Sequence, residues 1–364
     1  MKRGERVQKV FVRAYTNFNL GDDLFIKILV ERYPDIKFML YAPKKYKKIF
    51  NENKNVKVYS KENIFYRGFN FINRLFKSNY TIQRFLEKQA DAIVRIGGSI
   101  FMQNDNWIKN LKNNQNSFHK PYYVLGANFG PYTDEEYYSS YKKIFKSYTD
   151  VCFRDRYSYD LFSELNNVRV ADDIVFQMET KPEKIDNSIV ISVIKPSYRE
   201  YLQGYDDIYY IKLKEIIIKY VNNGYKITLM SFCENEEDNI AIEELKKMLP
   251  KKYKSQVRTH IYKTNINKTL KIIAKSKYII ATRFHAMILG WIYDKPIYPI
   301  TYSRKMINVI QDIGFNFGYA DFNNLHNLNS EEVFNNLNEN NKVNIVKARE
   351  TAEKHFEKLD EYLK

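Results

Sequence analysis

The feature that most constrains the fold is an alternation of short β-like runs with helix-like stretches, which occurs in two series. The first series begins with "KVFVRAY" (9–15) and "IKFMLYA" (36–42) and closes with "DVCFRD" (150–155). The second opens with "SIVISVIK" (188–195) and closes with "PIYPITY" (296–302). Strands that alternate with helices imply right-handed βαβ units and parallel sheets. The sequence therefore predicts an α/β protein of two Rossmann-like domains that face a cleft.

The length of the chain agrees with two domains, because 364 residues are too many for one ordinary core. We place an N-terminal domain at 1–178 and a C-terminal domain at 179–330. A polar stretch, "QMETKPEKIDN" (177–187), joins the two series. The tail 331–364 has a helical, amphipathic pattern, and we expect it to pack back across the junction.

The composition excludes several classes of protein. A net charge of +16 suits an anionic substrate, a nucleic acid or a negative membrane surface, and the lysines are dispersed apart from clusters such as "PKKYKK" (43–48). Cys152 and Cys233 lie far apart in the sequence without CxxC spacing, so we expect neither a disulfide framework nor a zinc site. Reduced cysteines fit the cytoplasm. The N-terminus lacks the apolar core of a secretory signal. No apolar run approaches the roughly 20 residues that span a bilayer, so any membrane contact should be peripheral.

Glycines and polar residues follow three strands of the first series. Ligands of open α/β sheets bind beyond the carboxyl ends of the strands, so these turns are candidate binding elements. The first turn contains Asn19, Gly21 and Asp22, and we expect Asp22 to cap the next helix, although a plain βα turn would have the same pattern. The other candidates after these strands are Gly97, Gly98, Ser99, Asn128 and Gly130.

Two arginines follow the last strand of the first series. Arg154 and Arg156 are two residues apart, so an extended segment would aim both at one face. Ser158 is placed to cap the next helix. A guanidinium at a strand end suits bidentate binding of a carboxylate or phosphate. A salt bridge from Arg154 to Asp155, Asp160 or Asp173 is an equal alternative.

The stretch "IIATRFHAMILGWIYDKPIYPITYSRK" (279–305) carries the strongest signal. Arg283 and His285 follow a strand and precede a helix, where free amides and the helix dipole favour an anion. Lys305 follows the next strand and is predicted to reach the same site. Tyr302 either lines this site or packs as a strand tyrosine. The pattern indicates anion binding with proton transfer, and we predict no metal, since no ligand cluster has suitable spacing.

These segments resemble the polysaccharide pyruvyl transferases. The matching motifs are "NLGDDLF", "IGGSIF", "GANFGPY", "FRDRYS", "ADDIVF" and "TRFHAMILGWIYDKPIYPITYSRK", in this order. The resemblance implies a GT-B-like fold and transfer of a pyruvyl group from phosphoenolpyruvate to a sugar. Two positions depart from the family pattern, Ser99 in place of a third glycine and Ile174 in place of a common proline, and they leave the acceptor open.

Carried over by position, Arg283 and His285 correspond to the pair that contacts phosphoenolpyruvate. Arg154 completes the anion site from the first domain, and Lys305 is the lysine beyond the last strand. His285 is either the general acid/base or an imidazolium that binds phosphate. The expected reaction forms a pyruvate ketal, releases phosphate and needs no cofactor.

Three functions stay open at this point. The first is a pyruvyl transferase whose glycan acceptor is a cell-surface polysaccharide, for example in the cell wall, or its lipid-linked precursor. The alternative is a GT-B glycosyltransferase that uses a nucleotide sugar. The third is a non-enzymatic basic protein that binds lipid or nucleic acid, which the absence of nucleic-acid motifs disfavours. We expect a cytoplasmic enzyme, with an anionic membrane face as a further candidate partner. The oligomeric state is open.

Overall fold

The computed structural model describes residues 7–76, 80–115, 119–339 and 341–364. The chain forms two compact units. The N-terminal unit contains residues up to Thr16, Leu24–Gln177 and Arg349–Lys364, and the C-terminal unit contains Asn17–Asp23 and Met178–Ala348. The sequence placed residues 17–23 in the first domain and 349–364 in a separate tail.

The N-terminal unit is built on a parallel sheet of seven strands within the described residues. The strand order is β3-β2-β1-β4-β5-β6-β7, and every neighbouring pair is parallel. The order changes direction between β1 and β4. The strands are β1 (Lys9–Ala14), β2 (Lys37–Ala42), β3 (Val56–Ser60), β4 (Ala92–Ile96), β5 (Tyr122–Ala127), β6 (Asp150–Phe153) and β7 (Val168–Val170).

The C-terminal unit repeats this plan with six parallel strands in the part of the chain that is described. The order is β10-β9-β8-β11-β12-β13, so the change of direction lies between β8 and β11. Isoleucine and valine fill the central strands because both faces are covered. The strands are β8 (Ser188–Ser192), β9 (Lys226–Ser231), β10 (Val257–Ile261), β11 (Tyr278–Ala281), β12 (Ile297–Thr301) and β13 (Ala320–Asp321).

Helices connect the strands of each sheet. Those up to β7 are α1 (Leu20–Arg32), α2 (Tyr46–Ile49), α3 (Ile64–Leu75), α4 (Ile82–Gln89), α5 (Trp107–Asn114), α6 (Glu135–Lys146) and α7 (Arg156–Asp160). Those after it are α8 (Asp206–Asn222), α9 (Asp238–Met248), α10 (Lys251–Lys254), α11 (Ile266–Lys275), α12 (Phe284–Ile292), α13 (Arg304–Asp312), α14 (Ser330–Asn338), α15 (Val346–Glu353) and α16 (Glu357–Leu363). Within the described ranges, every helix is too short or too polar to span a bilayer.

The predicted α/β class with two parallel sheets is confirmed, and two short strands, β7 and β13, were missed. The predicted helix cap at Asp22 is wrong. Helix α1 begins at Leu20, and the Asn19 side chain accepts a hydrogen bond from the Gly21 amide at 3.0 Å. The predicted return of the C-terminal segment is confirmed, since residues 349–364 belong to the N-terminal unit.

Candidate functional site

The strongest cluster of polar side chains lies at the point where the strand order of the second sheet changes direction, and we call it the second cluster. Its members are Ser192, Arg199, Glu236, Asp238, Arg283, His285 and Lys305. Ser192, the last residue of β8, accepts hydrogen bonds from the amides of Thr282 and Arg283 at 2.9 and 3.0 Å. These bonds hold the turn after β11 against the end of β8. Ligands of open α/β sheets bind at such a point, so the side chains carried by this turn belong to a candidate site.

Two carboxylates form salt bridges with the buried guanidinium of Arg283. Its Nε and Nη2 donate to Asp238, and its Nη1 donates to Glu236, both from the segment after β9. The Asp238 carboxylate also accepts from the amides of Phe232 and Cys233, each at 2.9 Å. The sequence predicted an external anion for Arg283, whereas in the structure these two carboxylates balance its charge. Arg283 therefore ties the turn after β11 to the loop after β9.

A second arginine, Arg199, enters the cluster from the segment after β8. Its Nη2 donates to Glu236 at 2.5 Å, and its guanidinium lies 4.9 Å from the ring centroid of Tyr302. Its Nη1 is buried and has no hydrogen-bond partner among the described residues. Buried donors are normally satisfied. Arg199 therefore has a donor available for a ligand.

The charge on Glu236 is stabilised by the cations around it. Burial alone would raise its pKa, but Arg283, Arg199 and Lys305 lower the pKa to about 2. Counted as charged groups, the cluster contains these three cations and the carboxylates of Glu236 and Asp238. The excess of one positive charge suits an anionic ligand.

His285 lies on the first turn of α12 and packs directly on Gly21. A methyl group at Gly21 would overlap the imidazole ring at Nδ1. Both residues belong to the C-terminal unit, together with Asn19, whose Nδ2 donates to Glu236 at 3.3 Å. The structure thus brings together two segments that the sequence assigned to different domains. Asp22 lies in the same turn and is half-buried.

Lys305 and Tyr302 follow β12 and border the same cluster. The Nζ of Lys305 lies 5.6 Å from the ring centroid of Phe284, which in turn contacts the His285 ring edge-on at 5.1 Å. Tyr302 is half-buried, and its ring contacts Phe322 at 6.3 Å on one side of the core. The ring also faces the Arg199 guanidinium, so Tyr302 packs on the core and contacts the second cluster.

In the N-terminal unit, Arg154 is buried beneath Gly98. Its Nη1 donates to Asp173 at 2.8 Å, and its Nη2 donates to Asn128 at 2.8 Å. A methyl group at Gly98 would overlap the guanidinium. The Ser99 hydroxyl donates to the same Asn128 side chain at 3.2 Å. The salt bridge to Asp173, which the sequence held as an alternative, is therefore present. The turns after β4 and β5 are joined by the hydrogen bond between Ser99 and Asn128.

Two further predicted residues, Arg156 and Ser158, lie in or beside the short helix α7. Arg156 does not share a face with Arg154, because β6 ends at Phe153 and α7 begins at Arg156. Its side chain is 72% exposed and pairs with Asp160. The helix cap predicted at Ser158 is wrong: Asp155 caps α7, and the buried Ser158 hydroxyl donates to this carboxylate and accepts from the Phe129 amide.

Gly97 and Gly130, also predicted from the sequence, lie in the turns after β4 and β5. The amide of Gly97 donates to Leu125 at 3.4 Å, and the amide of Gly130 donates to Phe101 at 2.7 Å. These bonds join the two turns to each other. The turn after β4 also borders the cavity described next.

A cavity of about 620 Å³ opens at the change of strand direction in the first sheet. Aromatic rings, side-chain amides and cations line it, which is the lining that a sugar with hydroxyl and acidic groups would contact. The Arg13 charge in this cavity is balanced by Glu87, with two hydrogen bonds of 2.7 Å. The lining includes Tyr15, Tyr41, Lys61, Arg95, Ser99 and Trp107.

No group of three or more histidine, cysteine, aspartate or glutamate side chains in the described ranges could hold a metal ion. Both cysteines are buried thiols.

Sequence reasoning missed four members of the second cluster: Ser192, Arg199, Glu236 and Asp238. Each of them ends or follows a strand of the second series, so the rule that ligands bind at strand ends could have found them. The two carboxylates stand in "SFCENEED" directly after β9, and Arg199 stands in "PSYRE" after β8. Their pairing with Arg283 depends on strand order, which the sequence does not state.

Comparison with known proteins agrees with this geometry. A sequence model of the family described as polysaccharide pyruvyl transferase matches residues 19–304, which include every member of the second cluster except Lys305. Its range also includes Arg154 and the turns after β4 and β5.

Several solved structures that are similar to this chain contain UDP. One is the UDP-GlcNAc 2-epimerase of Methanocaldococcus jannaschii in complex with UDP-GlcNAc and UDP, at 10% identity and a TM-score of 0.60, covering 98% of this chain and 100% of that one. Another is Alr3699/HepE of Anabaena in complex with UDP and glucose, at 12% identity and a TM-score of 0.55, covering 97% of this chain and 95% of that one. A third is a TarM mutant of S. aureus, at 13% identity and a TM-score of 0.54, covering 98% of this chain and 97% of that one. At these identities the likeness shows the fold alone, that of GT-B glycosyltransferases and epimerases.

Proposed function

Because this chain belongs to the polysaccharide pyruvyl transferase family, we propose that it transfers a pyruvyl group from phosphoenolpyruvate to two hydroxyls of a sugar and releases phosphate. The observation that supports this most strongly is the second cluster. There His285 packs on Gly21 next to Lys305, and Arg199 directs a buried donor to no protein acceptor among the described residues.

The donor site of this proposal uses two cations of the second cluster. Phosphoenolpyruvate carries a carboxylate and a phosphate, so it needs more than one cation. Arg199 and Lys305 bind these anions. Arg283, which two carboxylates hold, positions the turn that carries His285. Arg154 has the corresponding positioning role in the N-terminal unit, because Asp173 balances its charge.

His285 moves the protons of the reaction. It gives a proton to the methylene carbon, whose double-bond electrons form the new C–H bond and leave an oxocarbenium-like carbon at C2. One sugar hydroxyl attacks this carbon and returns its proton to His285. The C2–O bond to phosphate then breaks, and the second hydroxyl closes the ketal while its proton goes to the departing phosphate. The proton balance closes without a cofactor or a metal.

The acceptor sugar occupies the cavity of the N-terminal unit. Its amides and aromatic rings suit a sugar, and Lys61 and Arg95 suit an acidic or phosphorylated group on it. Burial lowers the pKa of Lys61, and its Nζ donates to Thr16 at 3.2 Å. We expect Lys61→Met to raise KM for the acceptor about tenfold with KM for phosphoenolpyruvate unchanged, as measured by steady-state kinetics.

The fold also admits a second candidate, a glycosyltransferase that uses a nucleotide sugar. The similar structures with UDP support this alternative at the level of fold. We place the enzyme in the cytoplasm, at the membrane face where lipid-linked glycans are assembled, and a partly built cell-surface polysaccharide is the acceptor.

A phosphate-release assay decides between these candidates. The protein is incubated with phosphoenolpyruvate and a panel of glycan acceptors, and in parallel with nucleotide sugars. We expect acceptor-dependent phosphate release that His285→Ala lowers at least 100-fold, and an acid-labile ketal in the product. Release of nucleoside diphosphate without use of phosphoenolpyruvate would favour the glycosyltransferase. Turnover undiminished in His285→Ala would remove this residue from the mechanism.

A further inference from the structure

Helix α3 presents a wide apolar face to solvent in the N-terminal unit. Each large apolar residue of this face is between 54% and 81% exposed. At 100° per residue they cover an arc of about 140° of the helix. A contiguous apolar surface of this kind marks an interaction site. The residues of this outer face are Ile64, Phe65, Phe71, Ile72, Leu75 and the following Phe76.

The opposite face of α3 holds the helix in place, so the outer face is not an unfinished core. Tyr66 and Phe69 pack against the core of the N-terminal unit. The Asn70 side-chain oxygen Oδ1 accepts a hydrogen bond from the backbone amide of Ile82 at 2.8 Å, and Asn63 caps the first turn. The inner face of the helix thus packs and forms hydrogen bonds within the N-terminal unit, and the outer face is separate from it.

Positive charge borders one edge and the start of the outer face. Arg67 and Arg74 are exposed and lie two turns apart along one edge of it. No acidic residue occurs between Asn63 and Phe76. The lysine cluster 44–48 lies near the start of the helix, because the Lys44 amide donates to the Glu62 carboxylate at 2.8 Å. An apolar stripe with a basic border is the pattern of a helix that lies in the surface of a membrane.

We infer that the outer face of α3 docks this protein on the surface of an anionic lipid bilayer. The phenylalanines and aliphatic residues enter the boundary between headgroups and acyl chains, and the arginines contact anionic headgroups. A second copy of the chain fits less well, because a two-fold contact repeats the same patch on both partners and brings the basic borders together. The docking does not depend on the proposed reaction, although it would bring a lipid-linked acceptor within reach.

Vesicle flotation of the full-length protein, without substrates, tests the inference. We expect binding to vesicles of phosphatidylcholine with 30% phosphatidylglycerol, and binding at least tenfold weaker to phosphatidylcholine alone. Raising the salt concentration should weaken the binding, because salt screens the lipid charge. Since no turnover is measured, this result is independent of whether the enzyme transfers pyruvate.

Variants locate the contact. Phe65→Ser with Leu75→Ser should lower vesicle binding at least tenfold, and Arg67→Ala with Arg74→Ala should abolish the preference for anionic lipid. The matched controls are Ile240→Ser on α9, another exposed apolar position, and Lys251→Ala with Lys252→Ala on α10. Neither control should change binding. The fluorescence of the tryptophan introduced by Phe65→Trp should be quenched by brominated lipid in the bound state.

Three results would overturn the inference. One is binding that the two α3 variants leave unchanged. Another is equal loss in the control variants, which would indicate a general effect of charge or solubility. The third is a dimer in sedimentation velocity that Phe65→Ser with Leu75→Ser dissociates, since the outer face would then be an interface between copies of the chain.

Discussion

At the scale of single residues, glycine and histidine depend on each other at the second cluster. Gly21 is required because the His285 ring lies where any side chain would begin. This contact explains the glycine of "NLGDDLF" by packing, and it relates the first motif of the chain to the last. Gly98 and Arg154 repeat the arrangement in the N-terminal unit.

A conservative substitution tests the contact. We expect Gly21→Ala to displace the imidazole and lower kcat at least 100-fold in the phosphate-release assay, while circular dichroism stays unchanged. Gly68→Ala on α3 is the matched control, since a methyl group there would have no neighbour within 4 Å. Full activity in Gly21→Ala would show that the position of the His285 ring is not critical.

At the scale of elements, the loop after β9 joins the strand ends of the second sheet. Glu236 accepts hydrogen bonds from Arg199, Arg283 and Asn19, and so contacts segments that follow β8, β11 and β1. Its lowered pKa measures how strongly the folded protein favours the charged form. The loop is therefore a source of stability as well as part of the site.

The pH dependence of stability tests this role. A carboxyl whose pKa falls from 4.5 to about 2 on folding stabilises the protein above pH 4.5, and the stabilisation is lost as the pH falls toward 2. At 1.36 kcal/mol per unit, this contribution is about 3 kcal/mol. We expect Glu236→Gln to lower the free energy of unfolding at pH 7 by about this amount. The free energy of unfolding of this variant should also fall less steeply between pH 4.5 and pH 2. Urea unfolding from pH 7 to 2 measures both, and the exposed Glu243→Gln should change neither.

The sequence predicted elements better than the contacts between them. Alternating hydrophobic runs located most strands, and Gly224, with φ of +80°, ends α8 as expected. β7 and β13 were missed because strands of three and two residues carry no periodic signal. The carboxylate partners of Arg283 were not predicted, because they come from a segment that only the strand order makes a neighbour, whereas the sequence did include Asp173 among the alternatives for Arg154.

At the scale of the whole molecule, the last residues of the chain complete the N-terminal unit. Arg32 on α1 pairs with Glu353 and Asp360, and the ring of Phe356 lies beneath its guanidinium at 4.6 Å. His355 is fully buried, and its Nε2 lies 2.7 Å from the Asp172 carbonyl oxygen. The N-terminal unit is thus built from both ends of the chain, and its fold is complete only when the C-terminal segment is in place.

The packing of the C-terminal segment 349–364 in the N-terminal unit is expected to be sensitive to acid. Burial lowers the pKa of His355 to about 4, so the folded protein holds the ring neutral while the unfolded chain takes up a proton near pH 6.5. Stability is therefore lost as the pH falls from 6.5 to 4. Between pH 7 and pH 5 we expect a loss of about 2 kcal/mol from this residue, at 1.36 kcal/mol per pH unit below 6.5.

Hydrogen exchange can follow that loss locally. Amides of residues 349–364 should exchange faster at pH 5 than at pH 7, after correction for the intrinsic effect of pH, and His355→Gln should remove the difference because glutamine does not titrate. His326→Gln, at an exposed position, should leave the difference intact. Uniform exchange across the N-terminal unit at both pH values would mean that His355 does not control the return. A local response would show that the C-terminal segment can detach before the sheet of this unit unfolds.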